Sequence, residues 1–265
     1  MPALTLSVVI PVKDDAVALR ACLAHLDRQT RPAWEVVVVD NGSTDDSAAV
    51  AVAHGARVVP ESTPGIPAAA ATGYDAARGD VIVRCDADTL APPDWLAAVA
   101  RHFETDATLD AVTGTGTFYD VPRWRATLVG RLYLLTYYAA MHAAMAHPPL
   151  WGSNMALRRT AWLAVRERVN RTDPESHDDV DLSFALGPGA RLRHDRALRV
   201  RVSGRSLHGA AQGRRRFDRA WRSLRRGWDV QPPWERWAER LGGRTTSARP
   251  AGTERGGAGG RRPPD

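Results

Sequence analysis

The feature that most constrains the fold is the sequence of residues 81–89, which reads VIVRCDADT. It begins with β-branched residues and little polar interruption, which is typical of a strand buried on both faces in a parallel sheet. Two carboxylates, Asp86 and Asp88, follow one residue apart at the point where the chain leaves the strand. Open α/β sheets bind their ligands at this edge. The pattern therefore predicts a ligand-binding cleft at the end of a buried strand.

The pair Asp86 and Asp88 predicts a site for a divalent cation. Two carboxylates this close repel each other unless a cation or several hydrogen-bond donors compensate them. Carboxylate oxygens on a loop suit Mg²⁺ or Mn²⁺, which usually bind through one or two carboxylates and the phosphates of a substrate. The alternative is a solvated turn that caps the next helix, because Asp is common at both positions. The buried strand before the pair favours the cation.

Strands and helices alternate along the rest of the chain. Strand patterns cover residues 4–11, 34–40, 56–60, 81–85, 111–119, 153–158, 191–194 and 198–202, and helix patterns cover residues 16–27, 45–54, 67–78, 93–104, 124–147, 178–186, 214–228 and 233–241. Alternation at this spacing predicts parallel strands joined by right-handed crossovers. We therefore expect an α/β fold in which helices flank a mostly parallel central sheet.

Composition divides the 265 residues into three parts. Hydrophobic residues make up 44% of the chain, which is enough to bury a sizeable core. We expect one folded domain over residues 1–210 and a basic helical extension, rich in Trp and Arg, over residues 211–241. From residue 242 the sequence is Gly, Pro, Arg, Ser and Thr with almost nothing to bury, so residues 242–265 are predicted to be a disordered tail.

Several features favour a cytoplasmic location. The two cysteines, Cys22 and Cys85, fall in a predicted helix and a predicted buried strand, which is weak support for a disulfide. A strand pattern begins at residue 4 and no signal peptide is evident. The longest apolar segment, residues 126–146, carries Arg131 and His142. It is a poor membrane-spanning helix but suits an interfacial or core helix.

Arginine dominates the basic side of the composition. The net charge is +6, and Lys13 is the one lysine in the chain. Arginine binds phosphate and carboxylate groups through two nitrogens, so anionic ligands and anionic lipid are the expected partners. Nucleic acid is the alternative, but much of the excess charge lies in the last third, and we expect no specific nucleic-acid partner. The basic C-terminal helices instead suggest peripheral contact with the inner membrane face.

Acidic residues fall at three places: Asp40, the pair at 86 and 88, and the cluster Asp178-Asp179-Val180-Asp181. Four segments accompany them, which are SVVIP at 7–11, VVDNGSTD at 38–45, ARGD at 77–80 and GSNMALR at 152–158. In this order they resemble the family 2 glycosyltransferases, in a small bacterial form, over about residues 4–205. The resemblance implies the GT-A fold, which is Rossmann-like, followed here by the helical extension.

The resemblance implies that Pro11, Asp40, Asp86, Ala87 and Asp88 bind a nucleotide-sugar donor. Asp40 would accept a hydrogen bond from the imide N–H of uracil, and a cap for the next helix is its alternative. Asp88 would bind Mn²⁺ or Mg²⁺, and Asp86 would contact the ribose, or the metal through water. The ion stabilises the negative charge that develops on the departing nucleoside diphosphate.

The resemblance also implies that Asp179, the second residue of an acidic pair, is the general base. Inverting transfer requires a carboxylate that removes the proton of the acceptor hydroxyl as it attacks the anomeric carbon. Neighbouring Asp178 and Asp181 would raise its proton affinity by like-charge repulsion. The alternative is an acidic first turn of a helix, which the helix dipole favours.

Residues 151–154 are predicted to lie beside the donor sugar and the acceptor, together with Asp178. Gly152, Ser153 and Asn154 would permit close approach, and Trp151 would stack on a sugar ring. A structural turn explains the small residues nearly as well.

Three later residues stay open at this level. Arg205 is a candidate diphosphate clamp or, as one arginine among many, a surface residue. His194 and His208 are candidates for a further metal ligand, but a lone histidine is usually not a ligand. We therefore place neither histidine in the metal site.

The predicted function is that of an inverting, metal-dependent transferase that moves one sugar from a UDP-sugar to an acceptor hydroxyl on a lipid-linked molecule or a glycan. Single addition is expected because the Gln-x-x-Arg-Trp motif of processive synthases is not intact, with Arg216 at the tryptophan position. One alternative is a GT-A-like nucleotidyltransferase, although residues 11–15, PVKDD, lack the glycine-rich phosphate loop of that class. The other is a non-catalytic basic protein that binds RNA or anionic membrane.

Overall fold

The computed structural model describes residues 3–121, 123–207 and 210–242. Seven strands form one sheet, and they are β1 Leu6–Val12, β2 Glu35–Asp40, β3 Arg57–Pro60, β4 Val81–Arg84, β5 Ala111–Phe118, β6 Met155–Arg158 and β7 Leu192–Val202. Their spatial order is β3-β2-β1-β4-β6-β5-β7. Pairs β3/β2, β2/β1, β1/β4 and β5/β7 are parallel, and β6 runs antiparallel to both of its neighbours. The predicted α/β fold with a mostly parallel sheet is confirmed.

Helices cover both faces of the sheet. They are α1 Ala16–Leu26, α2 Ser47–Ala53, α3 Ile66–Ala76, α4 Trp95–Thr105, α5 Arg123–Met145, α6 Arg159–Val165, α7 Asp178–Leu186, α8 Ala210–Val230 and α9 Pro233–Leu241, with a 3-10 helix at Gly204–Leu207. Helices α1, α2 and α4 contribute to one core cluster, and α3, α6 and α7 contribute to another. Because apolar residues leave water on both faces, β4 is buried at every position, as its β-branched sequence predicts.

Close packing of α3 on the sheet depends on Gly73. A Cβ at this position would lie 2.8 Å from Cγ2 of Val39 and would also collide with Val9. The alanines at 69–71 are buried for the same reason, since small side chains let the helix approach the strands. The alanine-rich helix is therefore a close-packed element that covers the centre of the sheet.

Strand β6 determines which loops meet at the carboxyl edge of β4. Met155 pairs with Arg84 and Arg158 pairs with Val81, so the chain enters β6 where β4 ends. Residues 151–154 consequently lie beside residues 85–88, although more than 60 residues separate them in the sequence. An antiparallel strand in a mostly parallel sheet thus brings two predicted motifs together.

Two elements differ from the sequence-based prediction. The predicted strands at 191–194 and 198–202 form one strand, β7, with a register shift opposite residues 113–115. The shift accommodates a tight local turn in which Ala197 N–H donates to Oδ1 of Asp195 at 2.7 Å. Helix α6 was not predicted, and it exists because Trp162 and Val165 pack into the core beneath α3 and α7.

The C-terminal helices pack on the rest of the chain. Helix α8 contacts α7, and α9 contacts α5. Arg236 of α9 is 2% exposed, and its Nε–H donates to the carbonyl of Met145 at 2.9 Å. Its guanidinium also lies 4.8 Å from the ring centre of Phe184 on α7. The extension predicted over residues 211–241 is therefore joined to the core by buried contacts.

The membrane-spanning potential of the helices is low. Within the part of the chain that the structure describes, no helix combines the length and the apolar character that crossing a bilayer requires.

The buried contact between His147 and Arg236 predicts acid-sensitive stability. Nδ1 of His147 lies 2.9 Å from the carbonyl of Pro148, and Nε2 lies 3.2 Å from Nη2 of Arg236, so Nε2 accepts from the guanidinium only when the imidazole is neutral. Burial lowers the pKa of His147 from its ordinary 6.5 to about 4. The unfolded chain binds this proton near pH 6.5, whereas the folded chain binds it only near pH 4. The contribution of neutral His147 to the free energy of unfolding is therefore complete above pH 6.5 and is lost as the pH falls towards 4.

We expect acidification from pH 7 to 4 to cost wild type about 3 kcal/mol more than it costs His147→Gln, which lacks this proton. Urea unfolding of both proteins across this range measures the difference. The comparison cancels the other groups that titrate in the same interval. Equal losses in the two proteins would contradict the assignment.

Candidate active site

A cavity of about 390 Å³ opens at the carboxyl edge of the sheet. Its walls come from the ends of β1, β2, β4, β5 and β7 and from the turn before β6. The lining residues are Pro11, Val12, Lys13, Asp15, Asn41, Ile66, Ala69, Arg84, Asp86, Ala87, Asp88, Phe118, Trp151, Ser153, Val202, Ser203 and Arg205. This is the edge at which α/β sheets bind ligands, and it is where the sequence predicts the cleft.

Asp86 is held by groups on both sides. Its Oδ1 lies 3.1 Å from Nη2 of Arg84, and its Oδ2 accepts a hydrogen bond of 2.5 Å from the hydroxyl of Ser153. Its backbone N–H donates to the hydroxyl of Thr89 at 3.1 Å. The carboxylate therefore has a fixed orientation at the start of the loop, and Ser153 acts as its hydrogen-bond donor.

Asp88 contacts the guanidinium of Arg205 on the solvent side of the cavity. Its Oδ2 lies 3.2 Å from Nη2 of Arg205, which also binds Asp15 at 2.5 Å. Burial, and then the charge of Asp86, raise the pKa of Asp88 to about 6, although Arg205 opposes the shift. This carboxylate is thus undercompensated where it stands, and additional positive charge beside it would stabilise its ionised form.

The first turn of α7 supplies two further carboxylates. Oδ2 of Asp178 lies 3.4 Å from Nη2 of Arg84, and burial raises the pKa of Asp178 to about 6 because it outweighs this ion pair. Asp179 is 9% exposed, and its Oδ2 accepts a hydrogen bond of 3.0 Å from the backbone N–H of Gly152. The predicted base is therefore tied to the turn that borders the cavity.

The turn at residues 151–154 divides its side chains between the cavity and the core. Trp151 and Ser153 line the cavity, and Trp151 packs over Gly116, where a Cβ would lie 2.6 Å from the indole. Asn154 is fully buried, and its amide accepts from Trp95 Nε1–H at 2.9 Å and donates to two backbone carbonyls at 2.9 Å. The side chain of Asn154 therefore ties the turn to α4, β5 and β7 inside the core, whereas we predicted it beside the acceptor.

Asp40 lies next to the cavity, at the end of β2. Its Oδ1 accepts a hydrogen bond of 2.9 Å from the N–H of Ser43 in the following turn. Helix α2 begins only at Ser47, so the contact closes a turn and does not cap the helix. The adjacent Asn41 does line the cavity. Asn41 also ties together the loop at residues 61–65, because its amide bonds the backbone of Glu61 and Gly65.

A divalent ion fits the donor set at Asp88. Among the described residues, no three His, Cys, Asp or Glu side chains cluster as a metal site made of protein alone would require. Mg²⁺ and Mn²⁺ are instead commonly held by one or two carboxylates together with substrate phosphates. Asp88 has the undercompensated charge and the cavity position that such a shared site requires.

Sequence patterns missed three charged residues of the lining. Lys13 and Asp15 follow β1, and Arg84 ends β4, where it was treated as part of a strand. Arg205 has the cavity position that its interpretation as a clamp requires. Lys13 could have been identified from the sequence, because it is the single lysine in a chain whose other basic side chains, apart from histidine, are arginines.

His194 and His208 are the two histidines that the sequence offers as metal ligands. His194 lies on β7, and its ring stacks on Tyr138 with ring centres 3.9 Å apart. Burial lowers the pKa of His194. His208 lies outside the described residues, and its role as a candidate metal ligand stays a prediction from the sequence.

Solved glycosyltransferases share this fold and define the class as GT-A. A mannosyltransferase from Pyrobaculum calidifontis, solved with GDP-Man and Mn²⁺, superposes with a TM-score of 0.67 at 21% identity and covers 90% of this chain and 69% of its own. Glucosyl-3-phosphoglycerate synthase from Mycobacterium tuberculosis, solved with Mn²⁺, UDP and phosphoglyceric acid, superposes with a TM-score of 0.60 at 20% identity. That alignment covers 83% of this chain and 78% of the synthase.

Sequence comparison then assigns the family. Residues 7–163, more than half of the chain, match the glycosyl transferase family 2 profile, and the chain belongs to that family. An uncharacterized glycosyltransferase of Mycobacterium tuberculosis is 40% identical over 110 residues, which are 41% of this chain and 47% of the relative. An undecaprenyl-phosphate 4-deoxy-4-formamido-L-arabinose transferase of Pseudomonas fluorescens is 34% identical over 113 residues, or 39% of this chain and 33% of the relative. The chain thus spans less than half the length of these relatives.

Proposed function

We propose that the protein is an inverting, divalent-metal-dependent glycosyltransferase that moves one sugar from a nucleotide diphosphate sugar to an acceptor hydroxyl. The observation that carries this proposal is the convergence of Asp86, Asp88, Lys13 and Arg205 in one cavity at the carboxyl edge of the sheet. Paired carboxylates suit a cation, and the two basic side chains suit the oxygens of a diphosphate. The GT-A fold agrees with the proposal, and family membership favours it over a GT-A-like nucleotidyltransferase.

The donor's diphosphate would lie between the loop after β1 and the loop after β4. Pro11 and Ala87 form apolar parts of this wall, and Asp40 lies next to it for contact with the base. We favour a UDP-sugar because Asp40 can accept from the imide of uracil, and the mycobacterial synthase was solved with UDP. The mannosyltransferase was solved with GDP-Man, so a guanine nucleotide is the competing donor.

Asp88 would hold Mn²⁺ or Mg²⁺ with the diphosphate. The ion, when bound, stabilises the negative charge of the departing nucleoside diphosphate. Arg205 contacts Asp88 through a side chain that is 58% exposed. In this proposal it turns from Asp88 towards a phosphate oxygen and acts as the diphosphate clamp.

Asp179 would remove the proton from the acceptor hydroxyl. Its hydrogen bond from Gly152 N–H fixes one carboxylate oxygen beside the turn that contributes Trp151 and Ser153 to the cavity. Trp151 offers an aromatic face to a sugar ring, and Asp178 lies next to the base on the same turn of α7. Inversion follows if the hydroxyl attacks from the face opposite the diphosphate.

The acceptor is proposed to be lipid-linked or a glycan, with the protein in the cytoplasm and its C-terminal helices at the inner membrane face. Trp234 and Leu241 of α9 are 71% and 78% exposed, and Arg214 and Arg225 of α8 are exposed. Tryptophan and arginine together suit an anionic lipid surface. One similar protein is named for an undecaprenyl-phosphate acceptor.

Donor binding provides the first test. A thermal-shift panel of UDP-, GDP- and other nucleotide sugars, with and without Mn²⁺, should show stabilisation that requires both the correct donor and the ion. Asp88→Ala should abolish the Mn²⁺-dependent part, whereas Asp195→Asn, a remote carboxylate on β7, should keep it. Salt-sensitive binding of RNA or vesicles that Asp88→Ala leaves intact, with no response to any donor, would instead identify a non-catalytic basic protein.

The base assignment predicts a specific kinetic defect. Asp179→Asn should lower kcat by about 100-fold or more, because a positioned base contributes about that much, and should keep donor affinity within a few-fold of wild type. Transfer from the identified donor, measured with single-turnover and steady-state kinetics, separates the two effects. A wild-type rate in this variant would show that another group removes the proton.

The membrane proposal predicts vesicle binding that depends on charge. Wild type should float with vesicles of anionic lipid at low salt and dissociate at high salt. The double variant Arg214→Glu/Arg225→Glu should bind at least about tenfold more weakly, since each basic residue near such a surface contributes about 1 kcal/mol. Arg20→Glu/Arg28→Glu makes the same charge change on α1 and in the turn that follows it, and should bind like wild type. If both double variants lost the same vesicle affinity, binding would depend on the net charge of the protein and not on the surface of α8.

A further inference from the structure

Arg84 is a buried cation beneath the cavity. It is the last residue of β4, its side chain is 3% exposed, and its Nη2 faces two carboxylates. Oδ1 of Asp86 lies at 3.1 Å and Oδ2 of Asp178 lies at 3.4 Å. Asp86 belongs to the proposed donor side, whereas Asp178 begins the helix that carries Asp179. One guanidinium therefore contacts both halves of the site.

The guanidinium of Arg84 is closely packed against the turn before β6. A Cβ at position 152 would overlap Nη1 of Arg84, so the turn before β6 needs glycine at the point where the guanidinium passes. Burial alone would lower the pKa of Arg84, but Asp178 and Asp86 help to raise it above its ordinary value. The side chain thus stays charged in a pocket from which water is excluded.

Some polar atoms around Arg84 have no hydrogen-bond partner among the described residues. They are the Nε–H of Arg84, Oδ2 of Asp178 and the hydroxyl of Tyr74, and all three are buried. Oδ2 of Asp178 is close enough to Nη2 for an ion pair but lacks the geometry of a hydrogen bond. Electrostatic attraction to one shared cation therefore links the side chain of Asp178 to that of Asp86.

We propose that Arg84 is a positioning residue for glycosyl transfer, which fixes Asp86 and Asp178 relative to each other. Through these two carboxylates it sets the distance between the donor-binding loop and the first turn of α7, where Asp179 lies. Without the guanidinium the two carboxylates would repel and separate. This inference rests on the proposed function, because the alignment matters only if a donor and a base must meet.

Kinetics test the alignment directly. Arg84→Met removes the charge but keeps much of the side-chain volume, and we expect kcat to fall about 100-fold with donor Kd within threefold, since small misplacements of reacting groups cost that much. Arg84→Lys keeps the charge but lacks the planar fork, and we expect a loss of about tenfold. A kcat within threefold of wild type for Arg84→Met would overturn the proposal.

A matched control comes from the neighbouring strand. Arg158 ends β6, pairs with Val81 of β4, and donates to the carbonyls of Leu109 and Phe103, remote from the cavity. Arg158→Met should lower the melting temperature and leave kcat per folded molecule unchanged. If Arg158→Met loses as much kcat as Arg84→Met, the effect is a general loss of packing and the proposal fails.

Unfolding measurements test the pairing without any substrate. We expect Arg84→Met to lower the melting temperature by about 10 °C, because it removes the cation that compensates the buried carboxylate of Asp178 and the partly exposed one of Asp86. Arg84→Met/Asp178→Asn should melt several degrees above Arg84→Met, since it removes one charge of each sign. Additive effects of the two substitutions would overturn the pairing. A wild type that transfers sugar while the coupling is absent refutes the role of Arg84, whereas coupling in a protein that transfers no sugar refutes the proposed function.

Discussion

Repulsion between carboxylates is the constraint on which the site depends. Asp86, Asp88 and Asp178 are all withdrawn from water to different degrees, and like charges in such surroundings oppose folding unless cations compensate them. Arg84 compensates from inside the sheet with 3% of its side chain exposed, and Arg205 compensates from the solvent side with 58% exposed. The first arginine is therefore a fixed part of the fold, whereas the second lies where water reaches it.

The sheet topology explains why these residues meet. Parallel strands β1, β2 and β4 end at the same edge, and β7, parallel to β5, ends there as well. The antiparallel β6 starts at this edge and so places Ser153 against Asp86 and Gly152 against Asp179. A sheet that were parallel throughout would send the chain before β6 to the opposite edge. One reversed strand is thus what completes the cavity.

The parts of this arrangement that were predictable from sequence are those with a local signal. Buried strands have β-branched runs, and their ends are marked by Asp40, Asp86 and Asp88, so the sheet and its binding edge followed from residues close together in the chain. Arg84 has no such signal, and the sequence left Arg205 open between a diphosphate clamp and a surface residue. Arg205 contacts residues 190 and 117 positions away, and Arg84 depends on a glycine and a carboxylate from other elements. Their roles exist only once the strands are paired. Helix α6 likewise forms through burial against the core.

The C-terminal helices complete the site as well as extending the chain. The hydroxyl of Ser223 on α8 accepts from the N–H of His177, immediately before α7, at 2.9 Å, and Arg226 binds Asp173 in the preceding loop at 3.0 Å. Helix α7 therefore packs against α3 and α6 as well as α8, and the position of Asp179 depends on these contacts. Arg214 and Arg225 are exposed on α8, where anionic lipid is proposed to bind. A partner that binds α8 would consequently contact an element that packs directly on the helix of the proposed base.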